Sequence, residues 1–304
     1  MRNIIKGPTV TWVDIQNSAQ EDVEYLRKTY QFHPLILDEL IPPASRTKVE
    51  SFSDHLFFVY YFPVFNKTHR HTTPRELDVI VGKDVLVTSH YNSIIPLKAL
   101  FDSCNLYEES RNEYMNGAGA YLLFQLFKRM QDSIFIKLDR INKKLHQVEE
   151  QIFQGKEREM LKEISFVKTD IINFWRIVNP QGEVLESLTR EGGAFFGREF
   201  EPYFTRLLGE WSKAKNDLVT SKETIESLEQ TNNALLTDKT NEIVKLLTLF
   251  SVIFLPAVLI TGIFSMNVGY IPLVGIRGDF WLIVGLMGSG VASMIWYFKK
   301  KKWI

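Results

Sequence analysis

Leu246-Leu247-Thr248-Leu249-Phe250-Ser251-Val252-Ile253-Phe254-Leu255-Pro256-Ala257-Val258-Leu259-Ile260-Thr261-Gly262-Ile263-Phe264 decides how the rest of the chain is read. These 19 residues are almost wholly apolar, and no charged residue occurs between Lys245 and Arg277. A second uncharged run of 19 residues, Phe280–Phe298, follows after a short loop. A bilayer core of about 30 Å takes roughly 20 helical residues to cross, so each run is long enough to span. Two buried helices of a soluble core do not call for two runs of spanning length bounded by lysines.

The flanking charges orient the pair. Lys239 and Lys245 precede the first span, and Lys299, Lys300, Lys301 and Lys302 follow the second. The loop between them carries only Arg277 and Asp279, which cancel. Lysine and arginine bias sets topology, so both ends face the cytoplasm, and the loop faces outward from a plasma or inner membrane. The lysine run directly after a span suits anionic headgroups. Tyr270, Trp281, Trp296, Tyr297 and Trp303 stand near the span ends, where amphipathic rings settle.

Upstream, the composition is that of a cytosolic protein. Among 304 residues, 36 are Lys or Arg and 36 are Asp or Glu, a balance that gives no hint of a nucleic-acid partner. The single cysteine, Cys104, rules out a disulfide framework and a multi-cysteine zinc site, and reads as inert. Met1–Lys6 offers no apolar stretch for a signal peptide.

Residues 1–117 read as a mixed α and β domain. Strands are expected at Val10–Ile15, Val49–Phe52, Leu56–Tyr61, Leu77–Val81 and Val85–Ser89, the last two joined at Gly82-Lys83-Asp84. Ser18-Ala19-Gln20-Glu21 has the form of a capping box opened by Ser18, ahead of the stripe Val23, Leu26, Tyr30. His33-Pro34 starts a short helix, with proline where the missing N–H costs nothing. From about Ala118 the pattern turns helical, with Phe127, Met130, Ile134, Leu138, Ile141, Leu145, Val148 and Ile152 three and four apart. Another helix follows Gly155 and ends near Pro180, and Gly192, Gly193 and Gly197 are expected to break the chain. Then Phe204, Leu207, Trp211, Ala214, Leu218, Ser221, Ile225, Leu228, Asn232 and Leu235 make a coiled-coil-like seam. No proline or glycine lies between Glu210 and Phe254. One helix is therefore expected from about Pro202 to Phe264, on the order of 90 Å long at about 1.5 Å per residue. The expected division is a domain at 1–117, a helical stalk at 118–240, a span at 241–264, an outer loop at 265–279, a second span at 280–298 and a basic tail at 299–304.

The first span is framed by Asn241-Glu242-Ile243-Val244-Lys245-Leu246-Leu247-Thr248, Phe254-Leu255-Pro256 and Thr261-Gly262-Ile263-Phe264-Ser265-Met266-Asn267. This resembles the CorA family of magnesium and related divalent-cation transporters, in which a Gly-Met-Asn signature closes the first of two C-terminal spans. Trp12-Val13-Asp14, Phe32-His33-Pro34-Leu35, Arg46-Thr47-Lys48-Val49-Glu50, Leu86-Val87-Thr88-Ser89-His90 and the end Lys299–Lys302 with Trp303 are similar to its other motifs. The resemblance runs nearly the full length. It implies an α+β cytosolic domain, a long helical stalk and two C-terminal transmembrane helices, assembled as a homopentameric funnel around one pore. The cytosolic domain would sense the transported metal. The cargo implied is Mg2+, with Zn2+, Co2+ or Ni2+ as alternatives, and no cofactor is bound covalently. The partners implied are the bilayer, divalent cations and copies of the chain itself.

Three departures stand out. Serine occupies the signature's glycine position at Ser265, which restricts the backbone if that position needs φ > 0. The loop Asn267-Val268-Gly269-Tyr270-Ile271-Pro272 lacks an acidic residue and is closer to the zinc-transporting ZntB branch. Arg206 falls where a metal-sensing aspartate is expected.

Neither uncharged run, Leu246–Phe264 or Phe280–Phe298, contains an acidic residue, so cation selection falls to neutral oxygens and symmetry. Ser265, Met266 and Asn267 form the expected filter. A ring of Asn267 side-chain carbonyls would contact the metal, holding a hydrated ion that gives up its waters reluctantly. Used as a helix cap, Asn267 would not serve this way. Helical spacing from Asn241 picks out Val244, Thr248, Ser251, Leu255, Val258 and Gly262 as pore-lining. The rotation of the helix stays open. Thr248, Ser251, Thr261 and Gly262 favour a pore over a membrane-anchored, non-conducting sensor. Pro256 is expected to kink the span, and Gly285, Ser289, Gly290 and Ser293 to permit close helix approach. No phosphate-binding Gly-x-x-x-x-Gly-Lys-Ser/Thr loop and no nucleophile–base pair marks an enzyme. Membrane potential would drive entry, at roughly 4.6 kcal/mol for a divalent ion per 100 mV, and proton coupling stays open. His69-Arg70-His71 and the patch Glu223, Glu226, Glu229 are secondary candidates for metal, each more simply read as solvated.

Overall fold

The computed structural model describes residues 1–41, 47–269, 271–301 and 303. Arg46 of the upstream motif, Tyr270 and Lys302 lie outside the described residues. The elements run β1 (Arg2–Lys6), β2 (Thr11–Gln16), α1 (Gln20–Tyr30), α2 (Pro34–Glu39), β3 (Lys48–Ser51), β4 (Leu56–Asn66), β5 (His71–Val81) and β6 (Val85–His90). Then come α3 (Ile95–Leu106), α4 (Glu108–Met115), α5 (Gly119–Phe153), α6 (Glu157–Val178), α7 (Gln181–Phe196), a 3-10 turn at Arg198–Phe200, α8 (Glu201–Phe264) and α9 (Asp279–Lys300).

The six strands form one sheet in the order β1-β2-β6-β5-β4-β3. Only the β2–β6 pair is parallel among the described strands. One face packs Val23 and Leu26 of α1 and Ile36 and Leu37 of α2 against Val13, Ile15, Val59 and Val87. On the other face the Phe127 ring of α5 lies edge-on to Tyr60 at 4.8 Å, and Phe101 of α3 meets Trp12 at 5.1 Å. Covering both faces explains why every residue of β6 is buried.

β4 and β5 continue beyond the expected strands as a ribbon closed at residues 67–70. Pro63 faces Pro74 in it. Two prolines spoil a central strand, but here each lies past the end of its outer neighbour, so no ladder bond is lost to β3 or β6. The ribbon is tied down by Thr72, whose hydroxyl donates to Asp170 of α6 at 2.5 Å, and by an Arg70–Glu163 ion pair at 2.8 Å. β1 is an edge strand that the sequence pattern does not mark, since Ile5 is its one buried residue.

Residue grouping divides the chain into Met1–Asn232 and a second unit from Asn233 onward, with α8 contributing to both. In the first unit the expected stripe of α5 is buried from Phe127 to Ile152, and the seam of α8 is buried from Phe204 to Asn232. Polar bonds fix the register of these helices. Gln131 donates to the Leu207 carbonyl at 2.8 Å, Trp211 to the Val178 carbonyl at 2.8 Å, and Asn232 to the Glu157 carbonyl at 3.1 Å.

Two local expectations shift. The first helix is capped at Ala19, where Asp22 accepts from the Ala19 N–H at 3.2 Å; Ser18 instead bonds Ser89 at 2.7 Å. Gly192 and Gly193 do not break the chain but lie within α7. A Cβ on Gly192 would come within 2.6 Å of the Phe204 ring, so the glycine serves close approach rather than a turn. The break falls at Gly197 alone of the three, with φ +117°.

Candidate functional site

The second unit is a helical hairpin of α8 from Asn233 to Phe264, a connecting loop, and α9. Both helices are long and apolar enough to cross a membrane. Thr261 approaches Met287 at 3.9 Å between hydroxyl and sulfur, and a Cβ on Gly290 would meet Pro256 at 3.4 Å. The contacts run in opposite order along the two helices, as an antiparallel hairpin requires. Gly290 thus lies at the approach of the two spans, whereas a Cβ on Gly285 would meet open space. Helix α8 passes through Pro256 without interruption.

These contacts show which face of α8 meets α9 within the chain. Leu249, Val252, Ile253, Pro256, Ala257, Ile260 and Phe264 are buried or half-buried. At about 100° per residue they share one face. Val244, Thr248, Ser251, Leu255, Val258 and Gly262 fall on the opposite face, and all are exposed in the single chain; Leu255 and Val258 are 63% and 65% exposed. Asn241 lies on the margin of the same stripe and is also exposed. Thr261 does not belong to this face, because it points toward Met287.

The stripe's hydroxyls are satisfied within the helix. Thr248 donates to the Val244 carbonyl at 2.8 Å and Ser251 to the Leu247 carbonyl at 2.9 Å. Such back-bonding leaves each hydroxyl oxygen able to accept, at low cost in an apolar setting. Val258, Gly262 and Ser265 also meet at a groove of about 430 Å³ lined by Ala257, Thr261 and Met287.

Beyond Phe264 the chain makes one more turn. The Ser265 N–H donates to the Thr261 carbonyl at 3.0 Å, and Met266 N–H to Ile263 at 3.3 Å. Ser265 has no positive φ; among the described non-glycine residues only Asn17, Gln31, Arg70 and Leu273 do. The Asn267 amide is exposed and forms no hydrogen bond among the described residues, so it does not cap the helix. The loop turns through Leu273, Gly275 and Gly278, all at positive φ. Asp279 then holds the start of α9 by accepting from the Gly275 N–H at 3.1 Å. At the far end of α9, Trp303 stacks on Phe298 at 5.7 Å and Lys300 lies over Trp296 at 5.2 Å.

The family model described as "CorA-like Mg2+ transporter protein" matches residues 8–300. The chain belongs to the CorA-like family. It is 26% identical over 302 residues to the cobalt/magnesium transport protein CorA of Thermotoga maritima, covering 97% of this chain and 84% of that one. The zinc transport protein ZntB of Pectobacterium carotovorum is 18% identical over 310 residues, covering 100% of this chain and 90% of that one. The solved CorA magnesium transporter of Methanocaldococcus jannaschii superposes with a TM-score of 0.84 at 24% identity, covering 97% of this chain and 92% of that one. This is a multi-pass membrane protein of a divalent-cation transporter family, and that family is not one of enzymes.

The remaining CorA-like motifs build the cytosolic unit. Parallel pairing sets Asp14 beside Thr88 and Gln16 beside His90. The Trp12 indole donates to Thr88 at 3.1 Å, Thr88 donates to Asp14 at 2.6 Å, and His90 faces Asp14 at 3.4 Å. Arg206 pairs with Glu210 at 3.0 Å on the surface of α8. Glu229 is taken by Lys168 at 2.6 Å, and His69 and His71 sit at the ribbon tip with ring centroids 5.7 Å apart. No group of three His, Cys, Asp or Glu poised for a metal occurs among the described residues. Cys104 is buried, and burial pushes its thiol up to about 11. Sequence reasoning missed Asp78. It is the single charged residue of the strand expected at 77–81.

Proposed function

We propose that copies of this chain, five in number, surround a pore for hydrated divalent cations, Mg2+ first, with both termini cytoplasmic. In this reading 241–264 lines the pore, 265–279 forms its outer mouth and 280–298 lies outside it, while residues 1–117 and 118–240 make the cytosolic funnel. Ser265-Met266-Asn267 is the filter, and the Asn267 carbonyls contact the hydrated ion. The observation that carries the reading is that Asn241 and the stripe from Val244 to Leu255 face away from α9, with Val258 and Gly262 exposed at the rim of the groove toward Met287 and a free Asn267 amide just past the stripe's outer end. Bonds to an ion's bound waters need acceptors rather than charges, so a ring of amide oxygens suits a cation that keeps its shell. The lysines at both cytoplasmic ends support the topology. The membrane potential drives entry.

Zinc or another transition metal, with or without proton coupling, is the second reading. It is favoured by the outer loop, which carries no acidic residue between Asn267 and Asp279 and resembles ZntB there. Flux into proteoliposomes decides between them, with Mg2+ and Zn2+ compared in parallel and Asn267→Ala beside the wild type. Greater Mg2+ flux supports the first reading and greater Zn2+ flux the second. Flux of neither ion under an imposed potential leaves a non-conducting sensor.

A further inference from the structure

Asp78 lies on β5, between β6 and β4, and is 2% exposed. Neither of its carboxylate oxygens has a hydrogen-bond partner among the described residues. An ionised carboxylate in such a place is costly, and the usual resolution is that it keeps its proton. Burial is the largest influence; Glu76 on its own strand and Glu39 on α2 add to it, and Lys48 on β3 opposes them, leaving the carboxyl pushed up to about 8.

The register places a lysine within range. Lys48, Val59, Asp78 and Ser89 form one cross-strand row, so Lys48 and Asp78 share a face two strands apart. At about 4.8 Å per strand their backbones are roughly 10 Å apart, most of which a lysine side chain spans. The Lys48 ammonium is held by Glu39 of α2 and by Glu50 at 2.9 Å. The Tyr91 hydroxyl, after β6, donates to the Leu40 carbonyl at the end of α2 at 2.6 Å, and Tyr91 is itself raised by burial, Asp78 and Glu76. Tyr61 of β4 donates to Glu76 at 3.0 Å, and Ser89, opposite Asp78, is bonded to Ser18. Lys48 and Tyr91 thus fasten the end of α2 beside a buried acid.

We propose that Asp78 is a proton-binding site that sets how α2 is held to the sheet. With the proton in place, Lys48 stays on Glu39 and α2 is clasped. When the proton leaves to solvent, the Asp78 carboxylate draws the Lys48 ammonium off Glu39, and the clasp opens. The ligand is the proton alone, and the site does not depend on which cation the protein carries.

The test is backbone hydrogen exchange of residues 34–40 in the full-length protein in nanodiscs, from about pH 6 to about pH 9, corrected for chemical exchange. In the wild type, protection of α2 falls severalfold with a midpoint near 8. In Asp78→Asn it stays flat, and in Lys48→Gln it is low throughout. A flat wild-type profile, or an equal fall in Asp78→Asn, overturns the proposal; a pH-dependent fall in Lys48→Gln removes the lysine transfer. Infrared spectra of the wild type stand apart from any variant's folding. A desolvated carboxylic-acid band at neutral pH supports the site, and its absence overturns it. Transport is not read in either measurement, so failure here is separate from failure of the ion pathway.

Discussion

Polar side chains tie separate elements together in the first unit, whereas in the membrane hairpin the hydroxyls bond back to their own helix, as Thr189 and Thr224 also do in the first unit. In the first unit, Gln131, Trp211 and Asn232 donate to carbonyls of other helices, and Trp12, Thr88 and Asp14 join two strands. In the hairpin, Thr248, Ser251 and Thr261 turn back onto carbonyls of their own helix. The first unit specifies its own packing within one chain. The hairpin satisfies its backbone and hydroxyls alone and leaves one whole face of α8 unpacked, as suits a surface completed by lipid or by other copies.

The largest effect that would sharpen this contrast is Trp211→Ala. Its indole packs where a Cβ on Gly182 would run into it, and it bonds Val178 across helices. Losing a buried aromatic costs about 3–5 kcal/mol, to be read as a lower denaturation midpoint of the first unit. Val258→Ala on the open face of α8 is expected to leave that midpoint unchanged. An equal loss from both would break the comparison.

Asp78 comes next. Its folded carboxyl holds a proton up to about 8, while an unfolded aspartate releases it near 4. The folded state therefore binds more protons over that window, and stability falls as pH rises through it, by at most about 1.4 kcal/mol per pH unit. Above the folded value the slope vanishes. Denaturation of wild type and Asp78→Asn between about pH 5 and 8 should show the slope in the first and its loss in the second. The stretch from Leu246 to Ile276 contains no acidic or basic residue, so it contributes nothing to this slope.

Asn267→Ala should lower divalent flux in proteoliposomes by about tenfold or more, the scale of losing a hydrogen bond to a charged or strongly polarised partner. Stability of the first unit should not move. Unchanged flux would take Asn267 out of the filter.

How much of this was legible in sequence follows from the kind of burial involved. The stripes of α5 and of α8 up to Asn232 are read directly, because one apolar face meets one partner. The membrane helices are legible from length and charge alone. What escaped depends on contacts distant in sequence. Pro63 and Pro74 look like strand breakers until their neighbours are seen to end before them. Gly192 looks like a turn until Phe204 is placed against it. The rotation of α8 could not be read because nearly every residue of a span is apolar, and only Pro256, Gly290, Thr261 and Met287 show which side meets α9. Asp78 could not be flagged by alternation alone, since a carboxylate on a strand is ordinarily solvated.

Ser265→Gly, which restores the family's signature, is the smallest and the most pointed test. Ser265 turns with a φ that any residue adopts. Glycine there adds only freedom to the unfolded chain, so the substitution should destabilise by about 0.4–1 kcal/mol, with flux unchanged within about twofold. If assembly of the pore instead demands a positive φ at this position, the sign reverses. Serine is then strained, and glycine raises both stability and flux. The sign of that small change therefore reports whether the mouth of the single chain already has the backbone it uses when copies surround a pore.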